Sequence, residues 1–252
     1  MDQQQILSCA LDIGEQMLIS GAEVGRVELA VSMICKAYGC TRADVFIITS
    51  SMILTVEGAD GTHGTQTRRL TGIATDLNKL HKLNDLSRHI CAETPDYDTV
   101  KAKIKEICAE KPYPVWMQVV FSGLTTLAFT VFFGGSWLDG LVALPLGMGL
   151  RLLMTLLQKT AANQIIINVL SSFALSLCTI QLVRWGIGQD ANKILIGNIM
   201  LLIPGIALTN SLRDLIGGDI ITGLLRFLDA ILVAAAIAAG YILAASVLGG
   251  VL

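Results

Sequence analysis

The sequence predicts a membrane protein, a small cytosolic α+β domain followed by a five-helix transmembrane α bundle. Composition is the first reason: of 252 residues, 53% are hydrophobic and only 15% charged, with mean hydropathy +0.65, where soluble domains carry about 25% charge. The distribution is the second. Residues 1–114 hold 12 of the 18 Lys+Arg, 15 of the 20 Asp+Glu and all three His, about 24% charged, whereas 115–252 hold 6 and 5, about 8%. The third is a set of five apolar runs of membrane-crossing length in the second part. The regimes meet at Lys111-Pro112-Tyr113-Pro114, so the domains read 1–112 and 113–252. An ordinary soluble single domain and a disordered chain are both excluded. Net charge is −2, split −3 and +1, and no basic field points to nucleic acid.

In the first domain Leu7, Ala10, Leu11, Gly14, Met17 and Leu18 recur at three- and four-residue spacing. Val27, Ala30, Val31, Ile34 and Cys35 do the same, and each set predicts a helix. Ser20-Gly21-Ala22-Glu23 breaks the chain between them and supplies a capping region. Stretches 44–49, 52–57 and 66–73 are rich in β-branched residues and predict strands, with Gly58-Ala59-Asp60-Gly61 as the turn between the second and third. Helices over 76–90 and 98–109 close a domain just large enough for its own core.

Cys9, Cys35, Cys40, Cys91, Cys108 and Cys178 form no C-x-x-C pair and read as reduced packing residues. His81 and His89 lack neighbouring cysteine or paired carboxylate ligands, so a solvated helix face is the expectation rather than a metal site. His63 reads as a turn residue. No Ser/His/Asp order, phosphate loop or H-x-x-x-H spacing occurs, so no catalytic residue, metal or cofactor is predicted.

The second domain must cross about 30 Å of hydrocarbon with about 20 apolar residues per helix. Residues 115–138 and 160–183 are charge-free for 24 residues each, 194–212 for 19 and 230–252 for 23; 140–158 carries only Arg151. The predicted helices are 115–136, 138–158, 162–184, 193–212 and 228–250. Pro145, Gly147 and Gly149 allow the second to kink or tilt, and Arg151 either snorkels to the headgroups or serves a polar path. Trp116, Trp137 and Trp185 fall at span ends, where amphipathic rings sit. Lys101, Lys103, Lys105 and Lys111 precede the first span, which places the N-terminal domain in the cytoplasm and, after five crossings, the C-terminus outside. The polar start, Met1-Asp2-Gln3-Gln4-Gln5, is no signal peptide, so insertion through the first internal span is expected.

Chemistry concentrates in 204–226. Pro204 and Gly205 interrupt an apolar run, and a broken helix exposes backbone groups that only protein or a watery cavity satisfies. Arg213, Asp214, Asp219, Arg226 and Asp229 follow. Arg213 or Arg226 can hold a substrate carboxylate, and one of the aspartates can carry a coupling proton. The alternative is a kinked helix with its ions merely paired. Gln164, Asn168, Ser172, Ser176 and Thr179 form a polar stripe on the third span, which serves as interhelical glue or lines a path; Arg151, Asn168 and Asn210 complete the candidate pathway. Ala236, Gly240 and Ala244, four apart, predict a close helix-packing face.

Pro204-Gly205 followed by Arg213-Asp214, Gly217-Gly218-Asp219, Gly223 and Arg226 resembles the P-G…R-D-x-x-x-G-D…G…R pattern of the threonine/serine exporter (ThrE) family. Ser20-Gly21-Ala22-Glu23-Val24-Gly25-Arg26-Val27-Glu28 is similar to that family's S-G-A-E-x-x-R-V-E signature, and Thr67-Arg68-Arg69 with 77–86 is similar too. The resemblance implies a proton-driven secondary exporter of small amino or carboxylic acids, multi-pass in the bacterial inner membrane. Full-length members join a hydrophilic domain to about ten spans. With five spans, this chain resembles the larger partner of the split form, whose other half is a small membrane protein, and the resemblance links that bacterial pair to succinate export. That implies oligomeric assembly and a site between halves. Gly21, Glu23, Arg26 and Glu28 gain importance from the match, while an Arg26–Glu23 pair at three-residue spacing is also an ordinary ion pair. Two other readings stand beside the exporter: a membrane-anchored enzyme with its site in 1–112, and a non-transporting scaffold subunit.

Overall fold

The computed structural model describes residues 1–70, 72, 74–160 and 163–248. Thr71 and Ile73 of the predicted third strand, Ala162 at the start of the predicted third span and 249–252 at the chain's end lie outside the described residues. The described chain forms two compact units, Met1–Lys111 with Gly205–Leu228, and Pro112–Pro204 with Asp229–Leu252.

The first unit begins with α1 (Gln3–Ile19), opened by a reciprocal cap in which Asp2 accepts the Gln5 amide at 2.7 Å and Gln5 accepts the Asp2 amide at 3.1 Å. Its stripe of Leu7, Ala10, Leu11, Gly14, Met17 and Leu18 is buried. α2 (Val24–Ala37) packs on it through Val27, Val31 and Ile34. Strands β1 (Arg42–Ile48), β2 (Ser51–Glu57) and β3 (His63–Arg69) form an antiparallel sheet in that order. The period of two puts Met52, Leu54 and Val56 of β2 into the core, and the Met52 thioether fills the space above Gly14.

β3 starts earlier than its composition suggests. Asp60 accepts both the amide and the hydroxyl of Thr62, which closes the turn by residue 62 and leaves His63 to pair with Glu57. His63 is therefore a strand residue rather than part of the turn. Helices α3 (Leu77–Glu93) and α4 (Tyr97–Ala109), capped by Asp76 and Asp96, complete this core. α9 (Gly205–Gly217) and residues Ile220–Leu228 of α10 (Ile220–Val247) also belong to the unit.

The second unit contains α5 (Val115–Phe132), α6 (Trp137–Gln158), α7 (Gln164–Arg184), α8 (Ala191–Ile199) and the remainder of α10. Among the described residues four helices are long and apolar enough to cross a membrane: α5, α6, α7 and α10. Small residues set the packing. A Cβ at Gly123 of α5 would lie 2.9 Å from the Leu144 carbonyl of α6, and Gly197 of α8 presses its backbone onto Thr130 of α5. Ser136 caps α6 together with Asp139, and the buried Asp139 carboxylate also accepts the amides of Gln189 and Asp190 at 2.6 and 3.2 Å. The helix runs through Pro145 without ending.

The segment read as the fourth span, 193–212, is not one helix. α8 ends at Ile199, and α9 begins at Gly205. Pro204 has no amide hydrogen to continue the ladder, and the intervening turn closes through Leu201 and Leu202 amides on the Asn198 and Ile199 carbonyls. α10 starts at Ile220, before the expected 228, because Thr222 and Arg226 along its first turns find polar partners inside the first unit.

Candidate functional site

The site is built around the turn between α1 and α2. Ser20-Gly21-Ala22 closes it with amide bonds back to Gln16, Leu18 and Met17. Gly21 takes φ +94°, a conformation open to glycine at little cost. α2 then starts without help from its own cap residue, since the Glu23 side chain makes no capping bond. The orphan amide of Val24 is instead satisfied from 190 residues away, by Asp214 Oδ1 at 3.1 Å. An anion at a helix N-terminus also meets the favourable end of the helix dipole.

The second oxygen of Asp214 accepts from Arg226 Nη1 at 3.0 Å. Both side chains are buried, Asp214 to 1% and Arg226 to 9% exposure. The same Nη1 donates to the Ala22 carbonyl at 3.3 Å, while Arg226 Nε is buried and has no partner among the described residues. Asn210 Nδ2 donates to the Gly21 carbonyl at 2.9 Å. Glu23 holds two guanidinium groups, Arg213 at 2.9 Å and Arg26 at 3.1 Å, nearer the surface. The family-like turn at 20–28 and the charged segment at 210–226 are thus one cluster.

Glu28 and Asp219 sit at its edge with no ion pair among the described residues. Glu28 lies one helical turn beyond Val24, half-buried. Burial, reinforced by the charges of Asp219 and Asp214, pushes its carboxyl up to about 6 from the ordinary 4.5. Asp219 is positioned by its own amide on the Asp214 carbonyl at 2.9 Å, after Gly218 at φ +101°. Gly223 permits the α9–α10 crossing, since a Cβ there would lie 2.8 Å from the Leu215 amide nitrogen.

Not every candidate joins the cluster. Asp229 is exposed, at the position in α10 where the second unit resumes. Arg151 of α6 hydrogen-bonds the Gln118 side chain, whose amide reaches the Tyr113 carbonyl at 2.6 Å. Asn168 of α7 is buried and accepts from Gln164 at 3.1 Å. Pro204 and Gly205 stand at the α8–α9 junction. Sequence reading missed the buried Asp139, for which the S-x-x-D capping spacing was an available signal, and Asn198, Ser171 and Val24's amide, which had none. Among the described residues no group of three or more His, Cys, Asp or Glu is placed to hold a metal ion.

Comparison with known proteins gives consistent relatives. The model of the ThrE family, described as "Putative threonine/serine exporter", matches residues 8–248. A "Probable threonine/serine exporter" of Mycobacterium tuberculosis is 24% identical over 95% of this chain and 46% of its own length. The "Threonine/serine exporter" of Corynebacterium glutamicum is 25% identical over 93% of this chain and 50% of its own. A "Probable succinate transporter subunit YjjP" of Klebsiella aerogenes is 26% identical over 96% of this chain and 92% of its own. The chain therefore spans about half the length of the threonine/serine exporters it matches and nearly all of the transporter subunit. No solved structure matches it. With the family model covering almost every described residue, and both its sequence signatures meeting in one buried ionic cluster, the chain belongs to the threonine/serine exporter family, ThrE, a family of membrane transporters and not of enzymes.

Proposed function

We propose that this chain is a subunit of a proton-coupled secondary exporter of small amino or carboxylic acids in the bacterial inner membrane. The observation that carries the proposal is Arg226: a guanidinium nine-tenths buried, with Nη1 engaged by Asp214 and Ala22 and Nε without a partner. A buried donor left unmade costs about 1–3 kcal/mol. A solute carboxylate supplies the missing acceptor, and a guanidinium edge matches its geometry. Asp214 keeps Arg226 aimed, and Glu28, whose carboxyl is pushed up to about 6, offers a group able to exchange a proton.

The chain crosses five times in this reading, the fourth passage running through the interrupted segment 193–212. Residues 1–112, which carry Lys101, Lys103, Lys105 and Lys111 near their end, stay in the cytoplasm and the C-terminus lies outside. The printed name of one relative, a transporter subunit, supports a subunit role, with a smaller membrane chain of the same family as companion.

The test is counterflow of labelled threonine, serine and succinate in proteoliposomes, with and without the companion chain, for wild type and Arg226→Lys. Lysine keeps the charge beside Asp214 and loses Nε. Transport should fall at least tenfold with the protein still folded and inserted, and a protonophore should collapse gradient-driven efflux in wild type. Unimpaired transport by a folded Arg226→Lys protein defeats the assignment.

A further inference from the structure

The three-stranded sheet of the first unit has two edges, and the chain engages only one of them. At the two ends of the β2–β3 ladder, Leu70 donates its amide to the Ser50 carbonyl at 2.9 Å and Gly58 donates to the Thr62 carbonyl at 2.9 Å. These bonds fix the alternation of the antiparallel pair. Gly64, Gln66 and Arg68 of β3 turn their backbone groups towards β2, whereas His63, Thr65, Thr67 and Arg69 turn theirs outwards. By the same alternation the Ile47 carbonyl lies on the outer edge of β1, and there the buried Thr222 of α10 donates its hydroxyl at 3.1 Å. The outward groups of β3 have no such partner among the described residues.

Exposed edges are ordinarily guarded by charge, proline or a bulge. β1 carries the Arg42–Asp44 ion pair at 2.8 Å. In β3, residues 63–67 include no lysine, arginine or proline, and seven successive pairs run from Glu57–His63 to Ser51–Arg69 without a bulge. Beside this edge lies a groove of about 790 Å³ between β3, the start of α1 and the start of α4. Gln4, Ser8, His63, Thr65, Gln66 and Tyr97 are among its lining residues. Among the described residues no lysine or arginine lines it, and its one carboxylate, Asp2, is occupied in capping α1. Gln4 and Gln66 each present an amide with both donor and acceptor, the same pair of groups that a peptide bond offers.

An unpaired strand edge alongside a helix, walled by neutral amides and hydroxyls, fits an extended polypeptide rather than an ionised metabolite. We propose that β3 accepts an added strand from the companion chain, an extended segment of uncharged polar residues lying in the groove against α1, and that this edge is a dock between the two subunits. The proposal rests on the subunit reading, in which a second chain supplies what the remaining half of the polypeptide supplies in the threonine/serine exporters that this chain matches.

The experiment uses the full detergent-solubilised chain, alone and with its companion, and reads residue-resolved hydrogen exchange, the Kd for the companion, Tm and counterflow. On assembly the amides of His63, Thr65 and Thr67 should exchange at least tenfold more slowly, while that of Gln66, already in the ladder, changes little. Thr65→Pro and Thr67→Pro each remove an outward amide, and proline is tolerated on an edge. Each should raise the Kd for the companion at least tenfold, with Tm within a few degrees of wild type. Gln66→Pro, which deletes a ladder bond, should instead lower Tm sharply. Unchanged exchange at all three outward amides on assembly, or a Kd unmoved by both outward prolines in folded protein, overturns the dock. Slow exchange at those amides in the chain alone, lost on dilution, identifies a second copy as the occupant and overturns it too. Intact counterflow with either of those results spares the exporter reading. A companion bound at this edge, with no counterflow of any solute, upholds the dock and defeats the exporter reading instead.

Discussion

Arg226 and Asp214 are buried together, so desolvation offsets much of what their attraction contributes. Their worth lies in what else they touch: one carboxylate ends the unmet amide of α2 and orients the guanidinium that meets Ala22. Glu28 is the residue whose charge the cluster resists. Its raised value means that the folded protein holds the proton where the unfolded chain has released it. Stability therefore falls as pH rises from about 4.5 to about 6 and stays reduced above that window. Solvent screening limits the penalty to about 1 kcal/mol. Glu28→Gln should accordingly raise Tm by a few degrees at pH 7.5 and leave it unchanged at pH 4.5, read by thermal unfolding of both proteins across that range. An equal shift at both values would mean that the carboxyl is not the source. Charged residues inside an apolar stretch stand out in a sequence, which is why Arg213, Asp214, Asp219 and Arg226 were legible as candidates. Their partners were not, because Val24 and Ala22 lie 190 and 204 residues away and contribute backbone atoms.

At the scale of elements, periodicity exposed α1, α2 and the long apolar helices, whose buried stripes recur every turn. It failed at ends, where single side chains decide: Asp60 advanced β3, and Thr222 and Arg226 drew α10 back to Ile220. The Ala236-Gly240-Ala244 face packs within the chain. A Cβ at Gly240 would lie 2.8 Å from Ser172 Cβ and 2.9 Å from the Phe173 nitrogen of α7, both fixed atoms. Gly240→Ala should cost about 1–3 kcal/mol and lower Tm by several degrees. Gly149→Ala, where a Cβ meets nothing within 4 Å, should leave Tm unchanged or slightly higher. Matching losses in the two variants would show that glycine is not needed at the α7–α10 crossing.

For the molecule as a whole, the membrane orientation proposed above makes a labelling prediction. Cys108 of α4 is exposed, Cys9, Cys35 and Cys40 are buried, and Cys91→Ser with Cys178→Ser leaves Cys108 as the accessible thiol. An impermeant maleimide should label it only after the inner membrane is permeabilised; labelling in cells with that membrane intact would reverse the orientation. Two compositional regimes, an α+β pattern, helices of crossing length and a proline-marked interruption were all determined by the sequence, because hydropathy and dihedral preference act over neighbouring residues. The merging of Gly205–Leu228 with Met1–Lys111 was decided only by the tertiary structure, as were the pairing of Asp214 with α2 and the unmet Nε of Arg226. Those depend on which backbone group arrives beside which side chain, and a hydrogen bond a few ångströms long carries no trace of the hundreds of residues that separate its ends.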